Sequence, residues 1–539
     1  MADIKQIKIL SSLEKVYDSD AMPAAEYKCL SMLKNEKKSF QLAIEADEAC
    51  EAELVCESSV KNIRIYTVEH IKSDLPMWKK GTDDYYRFSK SGYYPDLLLP
   101  FDGKIKAKKG ITVLWLELDA AQNDTGNHRI NLTVADKTVG IDVEIINAEL
   151  DFKDFVYTCW FHTDCLMSYY KFDVFSDEYW RVTENFLKTA AEYGMTCVLT
   201  PIFTPPLDTA IGGERPTVQL VDIALDNGKY SFNFDKLTRW IEMAHRCGIH
   251  YFEFSHFFTQ WGARKAPKIM ATVDGEYKKL FGWETKGKSK AYKQFLDAFS
   301  VEIKKYVEGR NLKNNVFIHV SDEPNGSMMF TYKKAARYIR ELFDGYKVMD
   351  ALSDYKFYKK GIVTNPIPAN DHIDKFIGNV ENLWVYYCSA QKNYNVSNRF
   401  FCNDSLRTRI IGYQMFKYDI RGFLQWGYNF YYKKLSKGLI NPYEVTDAGK
   451  EFPSGDSFIV YPAEDGTAHH SLRLKVFFDA LQDMAALNTL SSLAGKKDCL
   501  DIIEEKGNHN ITFREYPHDE SWLLNTREEV NKRIKDLIK

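Results

Sequence analysis

The chain of 539 residues lacks the features that would place it in a membrane, on nucleic acid or in a disulfide scaffold. No apolar run approaches the roughly 20 residues that a bilayer span requires. A net charge of −3 supplies no field that would recruit nucleic acid or an anionic membrane surface. Ten cysteines are scattered between Cys29 and Cys499 without one Cys-x-x-Cys pair. Buried free thiols are therefore expected, rather than a disulfide framework or a zinc site. Met1 to Met22 is polar and charged, with no apolar core of a signal peptide. A cytoplasmic protein fits that reading, and so does a secreted one whose leader has been removed. No internal repeat or low-complexity tract is visible, and nothing in the residues speaks to oligomeric state.

What is present is an ordinary globular composition, 45% hydrophobic and 27% charged, in a chain long enough for two or three domains. Aromatic side chains are abundant, with 33 Tyr, 34 Phe and 10 Trp. That permits a sugar-binding cleft, where flat rings cover the apolar faces of pyranoses, without demanding one.

Residues 1–150 read as an antiparallel β-sandwich. Short alternating or apolar segments such as Ser39 to Ile44, Ile63 to Tyr66, Ile111 to Leu116 and Val139 to Ile145 are separated by turn clusters such as Asn123 to Asn127. From residue 151 the pattern becomes strand, helix, strand. Candidate strands are Phe155 to Trp160, Thr196 to Leu199, Tyr251 to Phe254, Asn315 to Val320, Lys347 to Ala351, Gly361 to Thr364, Leu383 to Tyr387 and Gly422 to Trp426. Eight strands, mostly with helices between them, predict a (β/α)8 barrel over 151–490. An amphipathic helix carrying Leu474, Phe477, Leu481, Met484 and Leu487 completes it. Residues 491–539 are expected to form a small appendage on the body.

The fourth strand is the informative one. Its apolar run ends abruptly in Ser321-Asp322-Glu323-Pro324, and ligands of barrels gather at the carboxyl ends of strands. Two acids there suit hydrolysis of a glycosidic bond: one protonates the leaving oxygen and the other stabilises an oxocarbenium-like transition state. The bland alternative is that Asp322 caps a helix beginning near Ser327. A conventional retaining pair needs a second carboxylate at the end of strand seven, yet neither strand seven nor strand eight ends in an acid. Adjacent residues have Cα atoms about 3.8 Å apart, so Asp322 and Glu323 do not suit the water-sized gap of an inverting pair. They suit a substrate that supplies its own nucleophile, the 2-acetamido oxygen of an N-acetylhexosamine.

The strand end Ser321 to Pro324 resembles glycoside hydrolase family 123 and the wider group of DUF4091 proteins. So do Gly422 to Asn429, Tyr461 to Gly466 and Ser471-Leu472-Arg473, and in the first domain Asn35 to Gln41 and Trp115 to Asp119. The resemblance spans roughly residues 30 to 490. It implies a β-N-acetylgalactosaminidase with substrate-assisted catalysis. Asp322 would orient the acetamide, and Glu323 would act first as acid and then as base. No metal or organic cofactor is implied, and the partner is a glycan or glycolipid. Cleavage of another β-hexosaminide or hexoside, or non-catalytic carbohydrate binding, are the rival readings.

Around this pair, Trp426 is read as the floor on which the sugar stacks. Tyr386 or Tyr387 is read as donor to the acetamido oxygen, with strand alternation admitting only one of them. Trp160, His162, His256 and Trp261 follow strands one and three and are candidates for sugar hydroxyls. Asn429 is either a hydroxyl ligand or a turn residue. His319 is expected to be a buried, hydrogen-bonded histidine, Arg473 a structural ion pair, and His469-His470 an exposed loop pair without a third metal ligand.

Overall fold

The computed structural model describes residues 4–260 and 262–538. The first part is a sandwich of two sheets. One is built on the ladder Lys37–Ala46 against Gly110–Asp119, in which every residue between Lys38 and Ile44 is buried. The other runs Cys29–Leu33, Lys137–Ile146, Gly126–Val134, Cys50–Ser58, Lys104–Ala107. Its pairing is antiparallel except between Lys137–Ile146 and Cys29–Leu33, which run parallel.

The second part is an eight-stranded parallel barrel. Its strands are β1 (Val156–Cys159), β2 (Cys197–Thr200), β3 (Tyr251–Phe254), β4 (Val316–Ile318), β5 (Lys347–Ala351), β6 (Asn365–Ile367), β7 (Trp384–Tyr386) and β8 (Gly422–Gln425). They are hydrogen-bonded in that order, and β8 pairs with β1. The ring closes just beyond β6, where Tyr386 N–H donates to Pro368 O (3.0 Å) and Asn370 N–H to Tyr386 O (2.9 Å). The sixth strand therefore lies one step later than the expected Gly361 to Thr364. Pro366 and Pro368 hide it, because proline cannot donate to a ladder and argues against a strand in sequence. Two hairpins, within residues 222–233 and 269–281, are inserted after β2 and β3 and join into a separate four-stranded sheet.

Two C-terminal segments depart from expectation. His469 and His470 are not a loop pair: they lie in the strand Ala468–Ser471, whose His470 and Ser471 pair with Leu98 and Leu97 of the sandwich. The helix Leu472–Ala494 follows, capped by Ser471, whose hydroxyl accepts from Leu474 N–H at 3.1 Å. It does not show water a polar face. Arg473, Lys475, Asp479, Gln482 and Asp483 are all buried, because that face meets the sandwich and the final helix, Glu520–Ile538. Arg473 forms the expected ion pair, with Asp96. The described cysteines are all free, and Cys159, Cys165, Cys197, Cys402 and Cys499 are buried.

Candidate active site

A cleft of about 450 Å³ opens at the carboxyl ends of the barrel strands. Asp322 and Glu323 lie in it, together with Trp160, His162, Tyr386 and Trp426. Val316, Phe317 and Ile318 are buried, as are the three residues that follow. Beyond Ile318 the chain leaves the ladder and turns sharply. Glu323 has φ +38°, a left-handed conformation that costs a non-glycine residue on the order of 1 kcal/mol, and Pro324 then blocks further pairing. Asp322 does not cap the next turn. Asn325 does, its Oδ1 accepting from Ser327 N–H at 3.1 Å, which leaves the Asp322 carboxyl facing the cleft.

The protein packed around the recess pushes both carboxyls above their ordinary range, although Asp322 is only half-buried and Glu323 is exposed to the cleft. For Asp322 the negative charges of Glu323 and Asp350 add to the rise, while His319 opposes it. For Glu323 the hydroxyl of Tyr386, donating to Oε1 at 2.6 Å, opposes the rise. Two adjacent acids in a recess disfavour the doubly ionised state, so the pair holds its last proton to higher pH than a free carboxyl does.

Strand alternation decides between the tyrosines: Tyr386 enters the cleft. Tyr387 points to the opposite side of β7, where its ring meets Phe423 at 4.9 Å between centroids. Trp426, half-buried, forms part of the cleft wall. Its Nε1–H donates to Asp456 Oδ2 (3.0 Å), and Phe430 and Phe452 pack edge-on against its ring. His162 also reaches the cleft, but both ring nitrogens are occupied. Nε2 lies 2.9 Å from Trp426 O, and Nδ1 lies 3.0 Å from Arg215, itself paired with Asp164. Those partners assign a neutral ring with its proton on Nε2. Burial and then the Arg215 charge hold its pKa down at about 3.

Asn429 and His256 are not cleft residues. Asn429 is fully buried and ties the loop after β8 to His162, accepting from its N–H (2.8 Å) and donating to its carbonyl (3.1 Å). His256 is buried with its ring stacked on His319, centroids 4.7 Å apart. Trp261 lies outside the described residues. Ligand atoms of His256, His319 and Asp350 fall within 4.8 Å of one another. His319 Nε2 is taken by Glu253 and Asp350 accepts from backbone N–H groups, while Nδ1 of both His256 and His319 is buried without a hydrogen-bond partner.

Sequence reasoning missed Asp208. It lies in the loop after β2 with φ +40°, clamped on three sides. Its N–H donates to Gln260 Oε1 (3.1 Å), its carbonyl accepts from Ser436 Oγ (2.7 Å), and its Oδ2 accepts from Leu435 N–H (2.8 Å). The carboxyl lines the cleft, where burial raises its pKa to about 6. The available signal was an acid eight residues beyond a strand end, in a loop with no periodicity to mark it. Gln260, Lys434 and Phe452 also line the cleft and carried no signal in sequence.

Residues 160–490 match the family model described as "Glycoside hydrolase 123, catalytic domain". In overall structure the chain is similar to a family 123 glycoside hydrolase from Clostridium perfringens, studied for glycolipid glycan hydrolysis. The TM-score is 0.72 at 16% identity, covering 98% of this chain and 97% of that one. A family 5 mannosidase from Rhizomucor miehei is far more distant, with TM-score 0.32 at 11% identity over 61% of this chain and 93% of its own. No curated protein matches in sequence. With the matched region covering more than half of its length and containing the whole set of cleft-lining residues, the chain belongs to glycoside hydrolase family 123.

Proposed function

We propose that this glycoside hydrolase releases terminal β-linked N-acetylgalactosamine from a glycan or glycolipid by substrate-assisted, retaining catalysis. The observation that carries the reading is the pairing of adjacent carboxyls at the end of β4 with the Tyr386 hydroxyl on Glu323. Protonated Glu323 donates to the leaving oxygen while ionised Asp322 holds the acetamido N–H. The acetamido oxygen then attacks the anomeric carbon, the glycosidic C–O bond breaks, and the aglycone leaves with the proton. Glu323, now ionised, takes a proton from water as that water opens the oxazolinium ring. Trp426 offers an apolar face to the sugar, and Asp208 a carboxyl for its hydroxyls. The Clostridium perfringens enzyme's link to glycolipid glycans supports a glycolipid among the substrates.

The test is release of p-nitrophenol from matched β-N-acetylgalactosaminide, β-N-acetylglucosaminide and β-galactoside. Turnover of the first alone supports the reading. Equal cleavage of the glucosaminide would keep the mechanism and broaden the sugar. Efficient cleavage of the galactoside would overturn substrate assistance and make Asp208, the remaining carboxyl among the cleft-lining residues, the candidate nucleophile.

A further inference from the structure

The end of β4 is held from behind by groups that do not line the cleft. His319 is fully buried, with Nε2 2.9 Å from Glu253 Oε1 and Nδ1 3.4 Å from Asp350 Oδ1. The same Asp350 oxygen accepts from the N–H groups of Val320 (3.0 Å) and Ser321 (3.4 Å), and Oδ2 accepts from the Tyr332 hydroxyl. Glu253 accepts from the Thr158 hydroxyl, and Trp160 Nε1 approaches it at 3.5 Å. The chain of contacts thus crosses the barrel from β1 through β3 and β4 to β5. It touches the cleft wall at Trp160 and fixes the two peptides before Asp322.

Nε2 is hydrogen-bonded to Glu253, while Nδ1 faces Asp350 at ion-pair distance without a hydrogen bond of its own, and two flanking carboxylates favour the ring that carries both protons. The remaining neighbours do not compete for that role. The rings of His256 and Trp160 approach at 4.7 and 6.3 Å. Burial and the charge of His319 hold His256 neutral. Asp322 lies three residues along the same strand end and feels the His319 charge.

We propose that His319, held between Glu253 and Asp350, is a positioning residue that fixes the β4 end and, as an imidazolium, favours the ionised form of Asp322 beside a protonated Glu323. This rests on the proposed mechanism, which needs neighbouring carboxyls in opposite protonation states. Tyr386 alone would favour the wrong order, since its hydrogen bond stabilises ionised Glu323. The His319 charge works in the opposite sense on Asp322, against burial, Glu323 and Asp350, which disfavour its ionised form. Burial works against the charge on His319, but the two carboxylates outweigh it and raise its pKa to about 10.

Imidazole ¹⁵N spectra of the full-length protein from pH 5.5 to 9, with His319→Gln to assign the signal, test the charge. pH–rate profiles of both proteins test the role. The wild-type ring is expected to keep both protons throughout. His319→Gln is expected to lower kcat about a hundredfold, the scale of a small misplacement at the reacting centre, with KM nearly unchanged. Removing the cation makes Asp322 harder to ionise, so the acid limb of kcat/KM moves up by about one pH unit. His319→Asn repeats the kinetic arm if the glutamine variant does not fold. A wild-type ring that deprotonates near its ordinary value of about 6.5, or a folded variant with an unmoved acid limb, overturns the inference. If the wild type releases no N-acetylgalactosamine, the proposed function falls, while the ¹⁵N spectrum still decides the charge.

Discussion

At the seam between sandwich and barrel, Arg473 donates to both oxygens of Asp96 at 2.8 and 2.9 Å and to the carbonyls of Gly455 and Phe458. Lys475 meets Glu117 at 2.7 Å, and Arg527 spans Glu36 and Asp483 at 2.9 and 3.1 Å. In the cleft, by contrast, Asp322 and Glu323 share a single side-chain donor among the described residues, the Tyr386 hydroxyl. The seam takes its carboxylates out of bulk water and neutralises each with a cation, whereas Asp322 is half-buried and Glu323 exposed at the cleft, without a cation paired to either. A paired buried charge has no proton to trade, and its loss is felt as instability. A poorly paired one rises in pKa and is poised for proton transfer. The contrast separates residues that hold the domains together from the pair proposed to carry the chemistry.

The sharpest way to break that contrast is Glu323→Gln. It should reduce turnover of a poor-leaving-group glycoside about a thousandfold, within the range of a general acid, and barely affect a p-nitrophenyl glycoside in its first step. Asp322→Asn should depress both substrates alike. Neither should lower the unfolding midpoint, and a large loss of stability in either would put the pair on the structural side of the comparison.

Arg473→Met probes the other side. It strands Asp96 without its cation, and removing one partner of a buried pair costs about 3–5 kcal/mol. Denaturant unfolding should record that loss, while the pH–rate profile of the folded fraction keeps both limbs. A shifted limb would mean that the seam reaches the chemistry.

Tyr386→Phe is subtler. The hydroxyl favours ionised Glu323, so removing it raises the Glu323 pKa and keeps the acid protonated to higher pH. The basic limb of kcat/KM should move upward, with a loss of about tenfold in rate from the less ordered carboxyl. A downward shift would show that Tyr386 accepts from Glu323 rather than donating to it.

The same contrast explains what was legible in the sequence. Seven barrel strands could be read because a parallel strand is buried on both faces and reads as an apolar run. β6 could not, since it contains Pro366 and is followed by Pro368. Asp322 and Glu323 stood out because they interrupt such a run. Tyr386 could be reached only as one of a pair, since alternation says that one of two neighbours faces in but not which. Trp426 was visible as a ring at a strand end, whereas Asp456, which orients it, comes from a segment about 30 residues later. Asp208 and the buried polar face of the helix Leu472–Ala494 depend on elements far apart in the chain. Their meaning lies in contacts that local pattern does not carry.

Asp456 joins the two regions and gives the smallest effect. It is fully buried like the seam acids, yet burial raises its pKa to about 7 despite Arg399 and the Trp426 N–H, which both favour its charge. In the unfolded chain an aspartate titrates near 3.9, so between those values the folded state holds a proton that the unfolded state has lost. The stability this contributes is complete below about pH 3.9 and disappears as pH rises through about 7. Asp456→Asn retains an oxygen for Trp426 Nε1 but cannot acquire the charge. Wild type should therefore lose more stability than the variant between pH 5 and 8, by about 2–3 kcal/mol, while kcat/KM stays within about threefold because the tryptophan keeps its acceptor. Equal losses would show that Asp456 is ionised throughout and belongs with Asp96 and Glu117. A variant that is equally stable but much less active would instead tie its charge to Glu323, the acid whose field it already feels.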